Sequence, residues 1–160
     1  MKNGLKTFLI NPDKCTGCRD CEMVCSLVHE KTLNPSRSRI VVIRDPFNGI
    51  ELPMVCMQCQ DPVCMAVCPV SAIYEDENGA KIIDYNKCMG CRICVISCPL
   101  GGALIDPVSG KTIKCDLCNG DPVCVKFCST KAIEWVDASI ANQRIKKSTL
   151  ERFIQAISKE

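Results

Sequence analysis

Short apolar, β-branched stretches recur along the chain, and most are separated by compact polar turns. Asn-Pro, Asn-Gly and Ser-Gly pairs lie between these stretches, which is typical of short strands joined in hairpins. The stretches that predict strands are 7–10, 38–44, 50–54, 72–74, 81–84, 103–105, 111–113 and 132–136. The pattern therefore predicts an α+β chain of short hairpins.

The apolar positions of segment 137–160 follow a helical period instead. These positions are Leu150, Phe153, Ile154 and Ile157. Ser148 and Glu151 have the spacing of a capping box, which marks a helix start. We expect a C-terminal amphipathic helix that either covers the chain's own core or docks a partner.

Sixteen of the 160 residues are cysteine, and they form four runs of four. The runs are Cys15/Cys18/Cys21/Cys25, Cys56/Cys59/Cys64/Cys68, Cys88/Cys91/Cys94/Cys98 and Cys115/Cys118/Cys124/Cys128. The third run, with Pro99, has the C-x₂-C-x₂-C-x₃-C-P spacing of bacterial ferredoxins, in which the fourth cysteine ligates the other cluster. The first run resembles the third and the second resembles the fourth, so the chain looks like a duplicated two-run unit.

The cysteine content favours metal ligation over disulfides. The apolar run near the N-terminus is too short for a signal peptide, and no stretch approaches the length of a membrane span. We therefore expect a cytoplasmic chain with reduced thiols. Zinc sites usually separate two C-x-x-C pairs by a longer loop, so four [4Fe–4S] clusters are the predicted cofactors. No ligand is missing from the looser second and fourth runs, which argues against a [3Fe–4S] site.

Charge and composition support the same interpretation. The formal net charge of +2 treats the thiols as neutral, whereas four oxidised clusters would bring it to about −6. There is no basic stripe with interleaved aromatic residues, so we expect no nucleic-acid partner. Aromatic residues make up only 4% of the chain. We infer that clusters fill much of the interior and that the apoprotein does not fold.

Because the fourth cysteine of a run crosses to a partner cluster, the runs must pair. The 19 residues between Cys68 and Cys88 hold one hairpin, whereas the 30 residues between Cys25 and Cys56 look like a bridge. These lengths favour nested pairing of the second run with the third and the first with the fourth. The 16 residues between Cys98 and Cys115 also hold a hairpin. The alternative in which the first run pairs with the second and the third with the fourth therefore stays open.

Nested pairing predicts four ligand sets, two modules, one connecting hairpin and a C-terminal tail. The sets are Cys15/Cys18/Cys21/Cys128, Cys115/Cys118/Cys124/Cys25, Cys56/Cys59/Cys64/Cys98 and Cys88/Cys91/Cys94/Cys68. One ferredoxin-like module would comprise 1–30 with 111–136, and the other 56–110. Segment 31–55 would be a connecting hairpin and 137–160 a helical tail.

The remaining candidates for chemistry have ordinary interpretations. His29, the single histidine, is interpreted as a solvated residue at a helix end, and Trp135 as strand packing. No residue stands out as an acid, base or nucleophile. We therefore expect a non-catalytic chain.

The four cysteine runs resemble those of the four-cluster iron–sulfur subunits of the dimethyl-sulfoxide-reductase type, over residues 5–136. Residues 15–30 and 34–40 are similar to a compact subgroup that accompanies tungsten aldehyde oxidoreductases, related benzoyl-CoA reductases and carbon monoxide dehydrogenases. The resemblance implies nested pairing and a role in electron transfer in anaerobic metabolism.

The implied partners are a large tungsten- or molybdenum-dependent catalytic subunit, expected to be an aldehyde oxidoreductase, and a flavoprotein or ferredoxin. Two groups of alternatives keep the electron-transfer chemistry. One is a free polyferredoxin; the other is a subunit of a carbon monoxide dehydrogenase, formate dehydrogenase, hydrogenase or benzoyl-CoA reductase. A zinc-binding interaction module is the alternative of a different class.

Overall fold

Eight short strands form four two-stranded antiparallel ribbons in the computed structural model, which describes residues 5–157. The ribbons are β1 (Lys6–Ile10) with β8 (Ile133–Asp137), β2 (Ile40–Asp45) with β3 (Ile50–Val55), β4 (Ile73–Glu75) with β5 (Lys81–Ile83), and β6 (Ala103–Ile105) with β7 (Thr112–Lys114). A two-stranded ribbon is only marginally stable alone, so these ribbons depend on packing against helices and cysteine loops. The predicted α+β fold of short hairpins and short helices is confirmed.

The helices are α1 (Asp20–Glu30), α2 (Val63–Ala66), α3 (Ile93–Ile96), α4 (Val123–Lys126) and α5 (Ala138–Ile157), with 3₁₀ turns at Pro12–Lys14 and Pro35–Arg37. Helix α1 continues past the fourth cysteine of its run, whereas α2, α3 and α4 end before theirs. Pro69 and Pro99 follow the second and third runs and cannot donate the next helical hydrogen bond. In the first run Ser26 occupies that place and α1 continues to Glu30, whereas α4 ends at Lys126 although Ser129 follows the fourth run. The absence of proline therefore permits but does not dictate a longer helix.

The β1–β8 ribbon joins the two ends of the cysteine-containing part of the chain. Phe8 pairs with Trp135 across the ribbon, and their ring centroids are 4.8 Å apart. Phe8 is buried. Because residues so distant in sequence pair here, the first and fourth cysteine runs lie side by side.

The β2–β3 hairpin covers one face of α1. Ile40, Val42, Pro53 and Val55 are its buried apolar residues. Glu22 of α1 is buried beneath the hairpin, where Oε1 accepts a 2.7 Å hydrogen bond from the Val42 amide and Oε2 pairs with Arg19. A buried carboxylate requires such partners, and they connect helix to strand.

Close backbone contacts hold the second and third runs together. A Cβ atom on Gly102 would lie 2.7 Å from the Cys56 Cα, so only glycine fits there. A second connection extends to the fourth run through the side-chain amide of Gln58. Its Nε2 donates to the Cys115 backbone carbonyl (2.7 Å), and its Oε1 accepts from the Lys81 backbone N–H (2.8 Å). The predicted module boundary at 110/111 falls in the turn of the β6–β7 hairpin.

The predicted C-terminal helix is present, but the predicted capping box at Ser148 is wrong. α5 begins at Ala138, immediately after β8, and the Ser148 hydroxyl donates to the Ile145 carbonyl inside the helix rather than capping its end. From Asn142 to Ile157 the residues of α5 are exposed. Within residues 5–157, no helix combines the length and apolar character that crossing a membrane requires.

Candidate metal centres

Four cavities in the described part of the chain are each lined by four cysteines. Site 1 is lined by Cys15, Cys18, Cys21 and Cys128; site 2 by Cys56, Cys59, Cys64 and Cys98; site 3 by Cys68, Cys88, Cys91 and Cys94; site 4 by Cys25, Cys115, Cys118 and Cys124. Each site takes three cysteines from one run and the fourth from another. These quartets are the sets that nested pairing predicts.

Left-handed backbone shapes the cysteine loops. Gly17 and Gly90 have φ of +67° and +75°, and Arg19 and Arg92, which follow the second cysteine of their runs, have φ of +65° and +61°. Such conformations are uncommon outside glycine. They turn successive backbone N–H groups toward one side, the concavity that holds anions and iron–sulfur clusters.

The fourth cysteine of a run accepts a hydrogen bond from backbone. The amides of Ala72, Gly102 and Ala132 each lie 3.2 Å from the Sγ of the cysteine four residues earlier. Cys25 is the exception, since α1 continues past it and the Arg39 amide donates to its Sγ at 3.3 Å instead. The β2 hairpin thus supplies the contact that a local turn supplies elsewhere.

Burial makes several of these thiols difficult to ionise without a metal. Burial raises the pKa of Cys21 and of Cys115 to about 12. Only the thiolate is a metal ligand, so these sites need a cation that displaces the proton. Four sulfur donors, mostly apolar walls and N–H groups aimed at sulfur fit an iron–sulfur cubane.

The sites form a continuous series through the molecule. Cys21 of site 1 and Cys25 of site 4 lie four residues apart on α1. The Gln58 side chain donates to the Cys115 carbonyl between the loops of sites 2 and 4. Helix α2, which carries Cys64 of site 2, packs against α3, which carries Cys94 of site 3. The spatial order is therefore site 1, site 4, site 2, site 3.

The sites differ in access to the surface. Cys18, Cys59 and Cys91, the second cysteines of the first three runs, are exposed. Cys118, which has the same position in the fourth run, is only partly exposed. Site 4 is therefore an interior site, whereas sites 1 and 3 lie at the two ends of the series.

The interpretation of His29 as a solvated residue is wrong. Its side chain is only 11% exposed, and Nε2 lies 3.7 Å from the Cys118 Sγ and 3.5 Å from the Asp116 carboxylate. Burial lowers the pKa of His29. His29 follows Cys25 by four residues on α1, so the helical period places both on one face, a signal present in the sequence.

Two buried lysines near site 2 have no counterpart in the sequence analysis. Lys81 and Lys114 both line the cavity of site 2 and are 6% and 4% exposed. Lys114 immediately precedes Cys115, and this neighbouring position was the only indication in the sequence that Lys114 lies near a cysteine site. Burial could not be deduced from that position alone.

Two family models for iron–sulfur proteins match the chain. One, described as a 4Fe-4S dicluster domain, matches residues 47–138, and another, described as a 4Fe-4S binding domain, matches residues 7–27. With the sixteen cysteines, these matches identify four [4Fe–4S] clusters as the cofactors.

Curated relatives are subunits of several redox enzymes. The polyferredoxin-like subunit of an aliphatic sulfonate oxidoreductase from Pyrococcus furiosus is 47% identical over 85 residues, which are 52% of this chain and 49% of the relative. A subunit of the anaerobic dimethyl sulfoxide reductase from Escherichia coli is 33% identical over 97 residues, 53% of this chain and 47% of the relative. The chain thus spans about half the length of these curated relatives.

Solved structures match over more of the chain. A chain from the active site complex BamBC of benzoyl coenzyme A reductase with 1,5-dienoyl-CoA has a TM-score of 0.52 and 35% identity, with coverage of 84% of this chain and 77% of that one. For the same complex as isolated, the TM-score is 0.52 at 28% identity, and 99% of each chain is covered. The likeness therefore extends beyond the cysteine runs.

Proposed function

Because this chain belongs to the family of 4Fe-4S dicluster domains, we propose that it is a non-catalytic electron-transfer subunit of an oxidoreductase complex. The four clusters supply one-electron redox chemistry when bound. The chain itself would hold them in a fixed order, exclude water from the interior site 4 and present the end sites to partners.

Each cysteine quartet is proposed to ligate one cluster. Site 1 would use Cys15, Cys18, Cys21 and Cys128, and the other three sites the quartets defined above. The support is that each quartet lines one cavity. On this assignment the first and fourth runs form one module and the second and third runs the other.

The order of the sites is the observation that carries the proposal. Site 4 adjoins site 1, because α1 supplies Cys21 to site 1 and Cys25 to site 4, and the Gln58–Cys115 hydrogen bond connects the loops of sites 2 and 4. A storage or structural role does not require a continuous series, whereas electron transfer does. Electrons would enter or leave at sites 1 and 3, through exposed Cys18 and Cys91.

The proposed partner at one end is a large catalytic oxidoreductase subunit. Support comes from the sulfonate oxidoreductase relative and from the match to the benzoyl-CoA reductase active site complex, which covers nearly the whole chain. A tungsten aldehyde oxidoreductase is the specific partner that we propose from the resemblance of residues 15–30 and 34–40. A flavoprotein or ferredoxin would serve the other end, and we place the complex in the cytoplasm, where thiols stay reduced.

Anaerobic purification of the tagged chain from its native host tests the proposal. We expect about sixteen iron and sixteen sulfide per chain, together with a large subunit in constant ratio. A lone monomer with full iron would indicate a free polyferredoxin, and a colourless zinc protein would refute electron transfer altogether. About eight irons would mean that half of the sites are misassigned.

A further inference from the structure

Lys114 is a buried cation without a carboxylate partner. It is 4% exposed, and its ammonium donates a hydrogen bond to the Lys81 carbonyl. Within residues 5–157, no carboxylate oxygen lies within 4.0 Å of the Lys114 ammonium. An unpaired buried charge is costly, so a compensating negative charge is needed nearby.

Site 2 offers such a charge, whereas Asp76 and Asp116, which line a second cavity with Lys114, are beyond ion-pair distance of its ammonium. Lys114 lines the cavity of site 2 together with Cys56, Cys59, Cys64 and Cys98. With four thiolates, an oxidised cubane carries a net charge of about −2, enough to offset one cation.

Lys81, the other buried lysine of the cavity, does not fill the same role. Its ammonium pairs with the Glu75 carboxylate at 3.0 Å and donates to the Gly79 carbonyl at 3.1 Å. Its charge is therefore already offset within the chain. Lys114 is the lysine whose charge is left for the cluster.

The cations at the other sites are exposed or paired. Arg19 of site 1 is exposed and pairs with Glu22, and Arg92 of site 3 is exposed. Arg39 of site 4 pairs with Asp116 at 2.6 Å. Among the residues described, site 2 is thus the cysteine site with a buried lysine that lacks a carboxylate partner.

We propose that Lys114 is the counter-charge of the cluster at site 2 and raises its reduction potential. This inference rests on the proposed ligand sets and deepens the proposed electron-transfer function. One-electron reduction adds one negative charge to the cluster, and a neighbouring cation stabilises the more negative state more strongly. Site 2 would therefore accept electrons more readily than it would without Lys114.

The test is a redox titration of the isolated holoprotein with dithionite and mediators, followed by electron paramagnetic resonance. Lys114→Gln removes the charge but keeps a donor for the Lys81 carbonyl, Lys114→Met removes both, and Lys114→Arg keeps the charge. We expect a lower midpoint potential for one cluster in the neutral variants and near-native potentials in the arginine variant. Cys59→Ser identifies the signal of site 2, because Cys59 lines only that cavity among the four.

Lys111→Met is the matched control. Lys111 lies in the same hairpin three residues away but is exposed, so its removal should leave the potentials nearly unchanged. High salt should not abolish the shift in Lys114→Gln, because a buried charge is screened much less than an exposed one.

Every outcome decides the assignment. Unchanged potentials in fully loaded neutral variants, or an equal shift in Lys114→Arg, would overturn it. If the neutral variants lose the site 2 cluster while Lys114→Arg keeps about sixteen irons, the positive charge is needed to hold the cluster and the assignment stands. Loss of the site 2 cluster in all three Lys114 variants would overturn the assignment. A missing partner subunit would refute the proposed function without affecting this titration.

Discussion

At the scale of single residues, the sites depend on backbone positions that tolerate few side chains. Gly102 is the clearest case, since its amide donates to the Cys98 Sγ and its Cα lies against the backbone of Cys56. Both cysteines line site 2. A glycine that looks like an ordinary turn residue in the sequence therefore sets the distance between two ligand loops.

Replacing Gly102 with alanine should disturb site 2. The new Cβ would lie 2.7 Å from the Cys56 Cα, and forced overpacking of this kind costs about 1–3 kcal/mol. Anaerobic thermal unfolding, combined with iron analysis, measures the effect.

Gly101→Ala is the control for this substitution. Gly101 has a positive φ, but nothing lies within 4 Å of the added Cβ. The control should strain a turn yet retain all clusters. Equal cluster loss in both variants would show that backbone strain, rather than contact with Cys56, explains the effect.

At the scale of elements, ion pairs connect segments that the chain does not join locally. The Arg37 guanidinium donates two 2.8 Å hydrogen bonds to the Asp106 carboxylate, which is buried at the end of β6, and Arg37 also pairs with Glu30 at 2.6 Å. The turn after α1 is thereby attached to the β6–β7 hairpin. The hydrogen bonds from Arg37 hold the pKa of Asp106 well below its usual range.

Asp106→Asn should lower the melting temperature at neutral pH. Because the folded-state pKa is depressed, the stabilisation is fully present above the unfolded-state pKa of about 3.9 and is lost as pH falls through the lower folded value. The difference in melting temperature between wild type and Asp106→Asn should stay constant from about pH 8 to about pH 5 and become smaller only below about pH 4.

Calorimetry across this pH range provides the measurement for Asp106→Asn. Asp13→Asn removes an exposed pair with Arg152 and should change stability little. A difference that already becomes smaller near neutral pH would contradict the role of the Asp106 carboxylate.

At the scale of the whole molecule, the cysteine runs contribute to the four sites in a crossed arrangement. Cys98 belongs to the third run but lines site 2, and Cys68 belongs to the second run but lines site 3. Loss of a fourth cysteine should therefore affect a cluster other than that of its own run.

Cys98→Ser should remove or alter the cluster of site 2. Cys59→Ser and Cys91→Ser, both changes at exposed second cysteines, provide the reference signals for sites 2 and 3. Electron paramagnetic resonance should show the same component altered in Cys98→Ser and Cys59→Ser, and a different one in Cys91→Ser. If Cys98→Ser and Cys91→Ser altered the same component of the spectrum, the nested assignment would be wrong.

Removing iron should unfold the chain. Five buried residues of the core are cysteines: Cys21, Cys25, Cys56, Cys115 and Cys124. Oxidative chelation should abolish the far-ultraviolet circular dichroism signal and expose Trp135, which packs on Phe8, and addition of iron and sulfide should reverse both changes. A cooperative unfolding transition in the iron-free chain would contradict this dependence.

Local spacing and turn chemistry make much of this protein readable from its sequence. Three closely spaced thiols define one loop, so the four cysteine runs are recognised without tertiary information. Prolines and glycines mark where the hairpins end, and this predicts the positions of the strands. The start of α5 at Ala138 has a local signal, because the Asp137 carboxylate accepts hydrogen bonds from the Ser139 amide and hydroxyl in the first turn, but the capping-box pattern at Ser148 pointed to a later position.

Tertiary structure decided which cysteine loops lie next to each other and which side chains surround each site. The β1–β8 ribbon brings the first run to the fourth, and the approach of Gly102 to Cys56 brings the third run to the second. Burial of His29 against Cys118 and of Lys114 in site 2 follows from this arrangement. Spacing along the chain constrains only near neighbours, whereas contacts among distant residues determine which charges surround each cluster.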